Sequence, residues 1–382
     1  MANPFYRPPG FAPFDDEVSM MIAATQRRED EIQARIRETR EYFDAEPNYK
    51  FEDFAANGAY GVTCRVQQRG FGRRPPRRLI VKRALNDTVE GELQNEIRVM
   101  SELNGSVHIA SVIASKDVDT QRSRRRCKLI RRVIERVTGK PSRNFLGGLA
   151  GPTLVLEYLG NGTLDKIRAE AQIQDVFIPN RILWGIFLCL VRACVAMKYA
   201  PGAPPDSKPK LEELPAPPPN GEPDGYHHGD MHPGNLMFGS AGDFPEHSII
   251  PPVKLIDFGL TIEHEASAPR NLLDVSKNLL WLIVRGFAPI GPPYRIHRGI
   301  QTMGGLLLPN PISGEDPNPW LDHDLRDILL ECMAVYERDR PSLEKALYIA
   351  KEAVEQRGAE FYGPEESDEA IRDFIQAYVY NA

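Results

Sequence analysis

Two short motifs in the second half of the chain carry the side chains best suited to chemistry. The first is the run His-Gly-Asp-Met-His-Pro-Gly-Asn over 228–235, and the second is Asp-Phe-Gly over 257–259, directly after Leu255-Ile256. An apolar strand that ends in Asp-Phe-Gly is the usual setting of a carboxylate that holds a metal ion. A lone Asp in a loop is most often a turn or cap residue. Two such motifs in this order instead indicate a catalytic centre.

The pattern His-x-Asp-x-x-x-x-Asn with a downstream Asp-Phe-Gly resembles the protein kinase superfamily. This resemblance implies an α+β fold of two lobes, with a sheet-rich N-lobe and a helical C-lobe, that uses ATP and Mg²⁺. It implies that Asp230 accepts the proton of the acceptor hydroxyl or orients it, and that Asn235 and Asp257 hold magnesium. Phosphoryl transfer needs such groups, because cations must neutralise the triphosphate while a carboxylate faces the attacking hydroxyl.

The first half of the chain resembles the same superfamily in three further features. Lys82 ends a strand pattern and is similar to the lysine that anchors the ATP phosphates, and Glu96 matches the helix glutamate that pairs with it. Glu92, one turn earlier, is a weaker candidate for that partner. Gly58 and Gly61 lie in a turn that resembles the glycine-rich loop over the phosphates, where glycine lets backbone N–H groups approach oxygen closely.

Three later positions extend the resemblance to roughly residues 50–357. The segment around Glu157 and Leu159 is similar to the strand and hinge that receive adenine, which implies contacts through the backbone groups of these two residues. Asp274 resembles the buried helix aspartate that braces the catalytic loop, and Arg340 begins a late Arg-Pro-Ser motif of the helical lobe.

The catalytic motif departs from that of the kinases that act on Ser, Thr or Tyr. Gly229 stands where they carry Arg, His232 stands where they carry Lys, and the short segment 260–273 after Gly259 lacks Ala-Pro-Glu. The motif itself looks more like that of aminoglycoside and choline kinases, and its His-Pro-Gly-Asn end is similar to the atypical kinases of coenzyme Q biosynthesis. Three functions stay open: a divergent Ser/Thr protein kinase, a small-molecule kinase of the aminoglycoside or choline type, and an ATP-binding pseudokinase scaffold.

The order of predicted elements agrees with two lobes. We expect a Pro-rich segment and a charged helix over 1–48, an N-lobe over 49–158 and a C-lobe over 159–382. The predicted helices are Asp15–Glu46, Glu90–Leu103, Asn180–Lys198, Leu272–Arg285, Leu325–Tyr336, Ser342–Arg357 and Ser367–Tyr378, and the predicted strands are Phe51–Ala55, Val62–Gln67, Leu79–Arg83, Val107–Ala114 and Thr153–Tyr158. Docking of the first helix on the domain, through Ile32 and Ile36, is favoured over binding to a partner.

Two segments stand out by composition. Residues 116–143 are rich in Lys and Arg, which predicts either a solvated insertion or a docking site for an acidic protein, a membrane surface or RNA. Residues 200–224 are rich in proline, which predicts an exposed loop of extended, poorly packed backbone.

The bulk composition is that of an intracellular globular protein. A net charge of −6 argues against a protein that mainly coats nucleic acid. The five cysteines form no Cys-x-x-Cys pair, so the sequence indicates neither a disulfide framework nor a zinc site. We find no signal peptide or membrane-spanning segment, and expect a protein of the cytoplasm or nucleus that acts on a protein substrate or, alternatively, a small molecule.

Overall fold

The computed structural model of the protein describes residues 14–58, 61–70, 75–117, 145–216, 223–242, 244–284 and 290–381. The chain forms two compact units: the first is Met1–Gln94 with Ser115–Val155, and the second is Asn95–Ala114 with Leu156–Ala382. These units differ in extent from the expected segments, because residues 95–114 group with the later part of the chain. The basic insertion lies outside the described residues except for its first two positions.

A five-stranded sheet dominates the first half of the chain, with strand order β1-β2-β3-β5-β4. Strands β1, β2 and β3 form an antiparallel meander in which Thr63 pairs with Lys82. The strands are β1 Tyr49–Asn57, β2 Gly61–Gln68, β3 Arg77–Ala84, β4 Val112–Lys116 and β5 Thr153–Glu157. The mixed α+β fold expected from the sequence is therefore confirmed.

Helix α1, Phe14–Ala45, docks on this sheet within the first unit. Ile32 and Ile36 are both buried, as the docking interpretation predicted. The buried Arg83 of β3 donates to the hydroxyl of Thr39 on α1 at 3.1 Å and to the carbonyl of Ala150 at 2.8 Å. Hydrogen bonds of this kind offset much of the cost of burying a guanidinium, so the contact between helix and sheet is specific as well as apolar.

The extended segment before β4 differs from the prediction. Helix α2 spans Glu90–Leu103 as predicted, but the strand expected over 107–114 begins only at Val112. The preceding residues instead form hydrogen bonds with the strand Val253–Leu255. Leu255 donates to the carbonyl of His108 at 2.9 Å, and Ala110 donates to that of Leu255 at 3.1 Å. The apolar run was read correctly as extended backbone, but its partner is a strand far along the chain.

The second half of the chain is mainly helical. Helix α4 has the predicted bounds, α5 begins five residues before the predicted start, and α3 was not predicted. The helices are α3 Leu164–Ile173, α4 Asn180–Lys198, α5 Ser267–Ile283, α6 His323–Cys332, α7 Leu343–Gln356, α8 Ala359–Tyr362 and α9 Asp368–Ile375. A π-helical turn over Gln376–Tyr380 follows α9 in place of the longer helix that was predicted.

Three small antiparallel ribbons complete the second unit. Two of them frame the catalytic motifs: β6 pairs with β9, and β7 pairs with β8. The strands are β6 Gly225–His227, β7 Leu236–Phe238, β8 Val253–Leu255, β9 Ile262–His264, β10 Arg295–His297 and β11 Ile300–Thr302.

Helix α4 is the core helix of the second unit. Within the described part of the chain it alone is long and apolar enough to cross a membrane, although 94% of its apolar window is buried inside the protein. Arg192 interrupts its apolar sequence. The apolar residues cover all sides of the helix because protein surrounds it.

The proline-rich segment is largely exposed over residues 200–216, as predicted, and Glu212 is its only buried residue in this range, but its backbone is bonded to the rest of the second unit. Gly202 donates to the carbonyl of Glu102 at 2.7 Å, and Asp206 donates to that of Val112 at 2.8 Å. The side chain of Asn104 donates to the carbonyls of Ala203 and Pro204. Proline has no N–H to satisfy, so a few hydrogen bonds from the remaining polar groups hold this exposed strip in place.

The N-terminus of α4 begins without a polar capping side chain, since Pro179 stands at the cap position. The carboxylate of Glu366 supplies the missing acceptors: it receives the backbone N–H groups of Asn180 and Arg181, both at 2.8 Å. Glu366 is buried, and its negative charge lies at the positive end of the helix dipole.

We predict that Glu366→Ala lowers the free energy of unfolding by about 2 kcal/mol, because it leaves two buried N–H donors without their charged acceptor. Urea denaturation of the purified protein measures the change. The matched control is Glu365→Ala at the neighbouring exposed position, which should stay within about 0.5 kcal/mol of the wild type. Equal effects of the two substitutions would contradict the capping role.

Candidate active site

The catalytic loop, residues 228–235, connects β6 to β7 and ends in a short 3₁₀ helix, Pro233–Asn235. The side-chain amide of Asn235 donates to the backbone carbonyl of Asp230 at 3.0 Å and to its carboxylate Oδ2 at 3.3 Å. One side chain therefore fixes both the backbone and the carboxylate of Asp230. The sequence spacing between Asp230 and Asn235 is therefore set by the length of the loop that this side-chain amide closes.

The pairing of β7 with β8 brings the second motif to the first. Leu236 pairs with Leu255, and the next N–H group, that of Ile256, donates to the carbonyl of Asn235 at 3.0 Å. Asp257 follows directly, with a φ of +66° that turns the chain away from the strand direction. The hairpin register thus places Asn235 and Asp257 at the same end of one ribbon.

Asn235 and Asp257 fit a magnesium ion by the chemistry of their donor atoms. The Nδ2 of Asn235 is occupied by Asp230, while its Oδ1 accepts no hydrogen bond from the described residues. An amide oxygen and a carboxylate are the hard ligands that Mg²⁺ prefers. These two side chains can therefore hold the metal that their resemblance to the kinase motif implies.

His228 braces the loop from inside. Its Nδ1 accepts the N–H of Asp230 at 3.2 Å, so Nε2 carries the proton that it donates to the carbonyl of Ile256 at 3.1 Å. Burial lowers the pKa of His228 to about 4, which keeps the ring neutral and this pattern of donors intact. The ring also packs edge-on against Phe258, with centroids 4.8 Å apart.

Two asparagines of α5 hold the backbone of the loop, and the sequence analysis missed both. Asn271 accepts the N–H of His228 at 3.1 Å, and Asn278 donates to the carbonyl of Met231 at 3.0 Å. Asp274, expected to brace the loop, instead lies 3.2 Å from the ring of His227 and 3.0 Å from Lys277. The signal was the spacing of two Asn residues seven apart, which places them on one face of a helix.

The carboxylate of Asp230 is accessible, with 42% of the side chain exposed. His232 lies beside it, with Nε2 at 3.8 Å from Oδ2, while its Nδ1 accepts the N–H of Gly234 at 3.1 Å. His232, which stands where kinases usually carry lysine, thus caps the 3₁₀ helix. An acceptor hydroxyl can reach Asp230 without displacing a buried group.

The expected hinge residues occupy the end of β5. The carboxylate of Glu157 accepts the N–H of Ser111 at 2.7 Å and pairs with Lys254 at 2.6 Å, so this side chain is committed within the protein. The backbone N–H and C=O of Leu159 make no hydrogen bond to other described residues. Leu159 therefore presents the kind of backbone groups that recognise a nucleobase edge.

The phosphate-binding candidates of the first half lie where their elements predict. Gly61 begins β2, and a Cβ atom there would stand 2.4 Å from the carbonyl of Arg83, so only glycine fits. Gly58 donates to the carbonyl of Gly61 at 3.0 Å. Lys82 lies on β3 in the first unit, and Glu96 is buried on the part of α2 in the second. Their contacts with phosphate and with each other remain predictions.

The segment after Gly259 is short and tied down within the second unit. Asn95 of α2 donates to the carbonyl of Thr261 at 3.1 Å, and Arg98 pairs with Glu263 at 3.0 Å. The hydroxyl of Thr261 donates to the carbonyl of His228 at 3.2 Å. Helix α5 then begins at Ser267, so no long activation segment separates this region from the helix.

We predict that phosphatase treatment leaves the rate of phosphoryl transfer unchanged. The two hydroxyls of the segment, Thr261 and Ser267, are only 2% and 1% exposed, and Gly229 offers no cation to pair with a phosphate. Transfer is measured before and after treatment, with a mock-treated sample as control. Activity that is lost on dephosphorylation and regained on rephosphorylation at either residue would show a switch.

We also predict that Gly229→Ala reduces transfer by about tenfold or more. Gly229 has a φ of +78°, and a Cβ atom would lie 2.7 Å from the carbonyl of Leu260. A left-handed conformation with this close contact costs an alanine roughly 1–2 kcal/mol or more and shifts Asp230. The control is Gly358→Ala, where a Cβ atom meets nothing within 4 Å. A Gly229→Ala enzyme as fast as the wild type would contradict the geometric role.

Comparison with known proteins identifies a family for part of the chain. Residues 56–245 match the model of the APH family, described as the phosphotransferase enzyme family. This region is about half of the chain and contains the glycine-rich turn, the expected hinge and the catalytic loop; Asp257 lies just beyond it. No curated protein matches the chain. The matched region is a phosphotransferase domain, and the chain belongs to the protein kinase-like superfamily.

Proposed function

We propose that the protein transfers the γ-phosphoryl group of ATP to a hydroxyl acceptor, with Asp230 facing that hydroxyl. The observation that carries the proposal is the pair of hydrogen bonds from Asn235 to the backbone and carboxylate of Asp230. They orient a partly exposed carboxylate next to two oxygen ligands suited to a divalent cation. When bound, magnesium would neutralise charge on the transferred phosphoryl group.

Each residue of the loop has a distinct role in this proposal. Asp230 accepts the proton of the attacking hydroxyl or orients its lone pair. Asn235 joins the two halves of the site, since it binds Asp230 through Nδ2 and turns Oδ1 toward the metal. Asp257 supplies the charged ligand. Positioning by His228, Asn271 and Asn278 keeps these groups in place before substrate arrives.

The nucleotide-binding role of the remaining candidates rests on the family resemblance. Gly58, Gly61 and Lys82 would contact the phosphates, and Glu96 would pair with Lys82. The backbone of Glu157 and Leu159 would contact adenine. The unengaged backbone groups of Leu159 support this assignment, while the side chain of Glu157 is already bound to Ser111 and Lys254.

We propose a Ser or Thr hydroxyl of a protein as the acceptor. The exposed setting of Asp230 and its neighbour His232, whose side chains are 42% and 53% exposed, suits an acceptor presented on a large molecule. A small alcohol is the second candidate, favoured by one observation: only a few residues separate Gly259 from α5, which leaves little chain to form a platform for a peptide.

The acceptor is tested by transfer from γ-labelled ATP, with one set of reactions on a mixed protein extract and another on a panel of small alcohols and amines. Asp230→Asn in each set shows which label depends on this site. Label in protein Ser or Thr supports the first candidate, and label only in small molecules supports the second. Nucleotide binding without transfer to any acceptor would indicate a pseudokinase and contradict the proposed reaction.

We predict that Mg-ATP raises the melting temperature of the wild type and raises that of Asp257→Asn much less. A ligand at a hundredfold excess over its dissociation constant stabilises a protein by about 2.7 kcal/mol, and the substitution removes a charged metal ligand. Thermal denaturation with ATP and either magnesium or EDTA measures both effects. Equal shifts in the two proteins would contradict the assignment of Asp257.

A further inference from the structure

A second polar cluster lies in the core of the second unit. It consists of His108 from the loop after α2, Cys189 from α4, and His247 at the end of the 3₁₀ helix Pro245–His247; we call it the His-Cys cluster. Its ligand-type atoms, the two Nε2 atoms and Sγ, all lie within 4.8 Å of one another. All three residues are at most 2% exposed. The phosphotransfer site uses none of them.

The two imidazoles are placed so that neutral rings leave one unfavourable lone-pair contact in either arrangement of their protons. Their Nε2 atoms are 2.9 Å apart, while Nδ1 of His108 lies 2.7 Å from Oε2 of Glu212 and Nδ1 of His247 lies 3.3 Å from the carbonyl of Ile250. If both Nδ1 atoms donate to these oxygens, two lone pairs meet at the Nε2 atoms. If His247 carries its proton on Nε2 instead, its Nδ1 lone pair faces the carbonyl. A cation between the rings, either a proton or a metal ion, resolves the conflict.

Cys189 favours the metal ion over the proton. Its sulfur accepts the N–H of Val253 at 3.4 Å, the kind of hydrogen bond that stabilises a metal-bound thiolate. Two imidazole nitrogens and one sulfur are the donor set that zinc prefers.

Neighbouring carboxylates place an oxygen atom beside the His-Cys cluster and orient its histidines. Oε1 of Glu246 is buried without a hydrogen-bond partner among the described residues, and it lies 3.3 Å from Nε2 of His247. The other oxygen of this carboxylate pairs with Arg192 at 2.7 Å. Glu212 orients His108 through Nδ1, as carboxylates do for zinc-bound histidines.

We propose that His108, Cys189 and His247 bind one Zn²⁺ ion, and that a shift of the neighbouring Glu246 carboxylate brings Oε1 in as the fourth ligand. Four protein ligands in a buried setting make a structural site, because a catalytic zinc keeps a position open. Binding replaces the thiol proton of Cys189, which is released to solvent. A cavity of about 280 Å³ that His247 lines provides a route for the ion.

The ligands come from segments that are distant in the sequence, so no spacing motif predicted a metal site. The ion would join α4 to the loop after α2 and to the segment before β8. Through Glu212 it would also secure the end of the proline-rich segment, at the one residue of 200–216 that is buried.

The test is metal analysis by mass spectrometry of the full chain, purified without a histidine tag from cells grown with added zinc. We expect about one zinc ion per chain in the wild type and at most a tenth of that in Cys189→Ala. Cys194→Ala is the matched control, since Cys194 is buried on the same helix but lies outside the cluster. It should retain the zinc of the wild type.

A second measurement does not depend on the folding of a variant. The wild type, stripped with a chelator and reloaded with Co²⁺, should show a thiolate-to-cobalt charge-transfer band in the near ultraviolet. A wild type without bound zinc, zinc retained in Cys189→Ala, another transition metal in its place, or a cobalt spectrum without the sulfur band would each overturn the assignment. None of these readouts depends on phosphoryl transfer.

Discussion

The catalytic loop makes few hydrogen bonds within itself, and side chains from neighbouring elements pair with its backbone groups. Residues 228–235 leave a three-residue strand and must find acceptors and donors elsewhere, because unpaired polar groups in a protein interior are costly. Asn271 and Asn278 reach the loop from α5, His228 bridges it to Ile256, and Thr261 closes its far side. The same contacts that stabilise the loop also place Asp230.

This constraint explains why the activation segment of regulated kinases has no counterpart here. A loop that is held by buried amides and a neutral histidine needs no phosphate to order it. Gly229 takes a left-handed conformation against the carbonyl of Leu260, where a side chain does not fit. The absence of an arginine before Asp230 is therefore a consequence of the local backbone as well as a difference in regulation.

Much of the fold could be predicted from the sequence where a pattern is local. Helices α2 and α4 were predicted to the residue because their apolar periodicity is long and uninterrupted, and the α+β arrangement followed from the order of elements. The exposure of the proline-rich segment was predicted from its composition, but its hydrogen bonds to carbonyl groups of residues 102–112 were not, because these lie far from it in sequence. The braces on the catalytic loop were missed for the same reason: an asparagine in a helix does not reveal which backbone it will reach. The candidate residues Asp230, Asn235 and Asp257 were proposed from the resemblance of two motifs, and the structure joins these motifs through one closed loop and one hairpin.

We propose that Asp230 serves the chemical step while its neighbours hold the nucleotide and metal. The most direct measurement compares wild type and Asp230→Asn in turnover of γ-labelled Mg-ATP with the acceptor found for the wild type, alongside the dissociation constant for Mg-ATP by calorimetry. We expect turnover by Asp230→Asn to fall by about 10²–10⁴-fold, the usual contribution of a positioned general base. The dissociation constant for Mg-ATP should change by no more than about twofold, which is well under one kcal/mol. An Asp230→Asn protein that transfers phosphate as fast as the wild type would contradict this proposal.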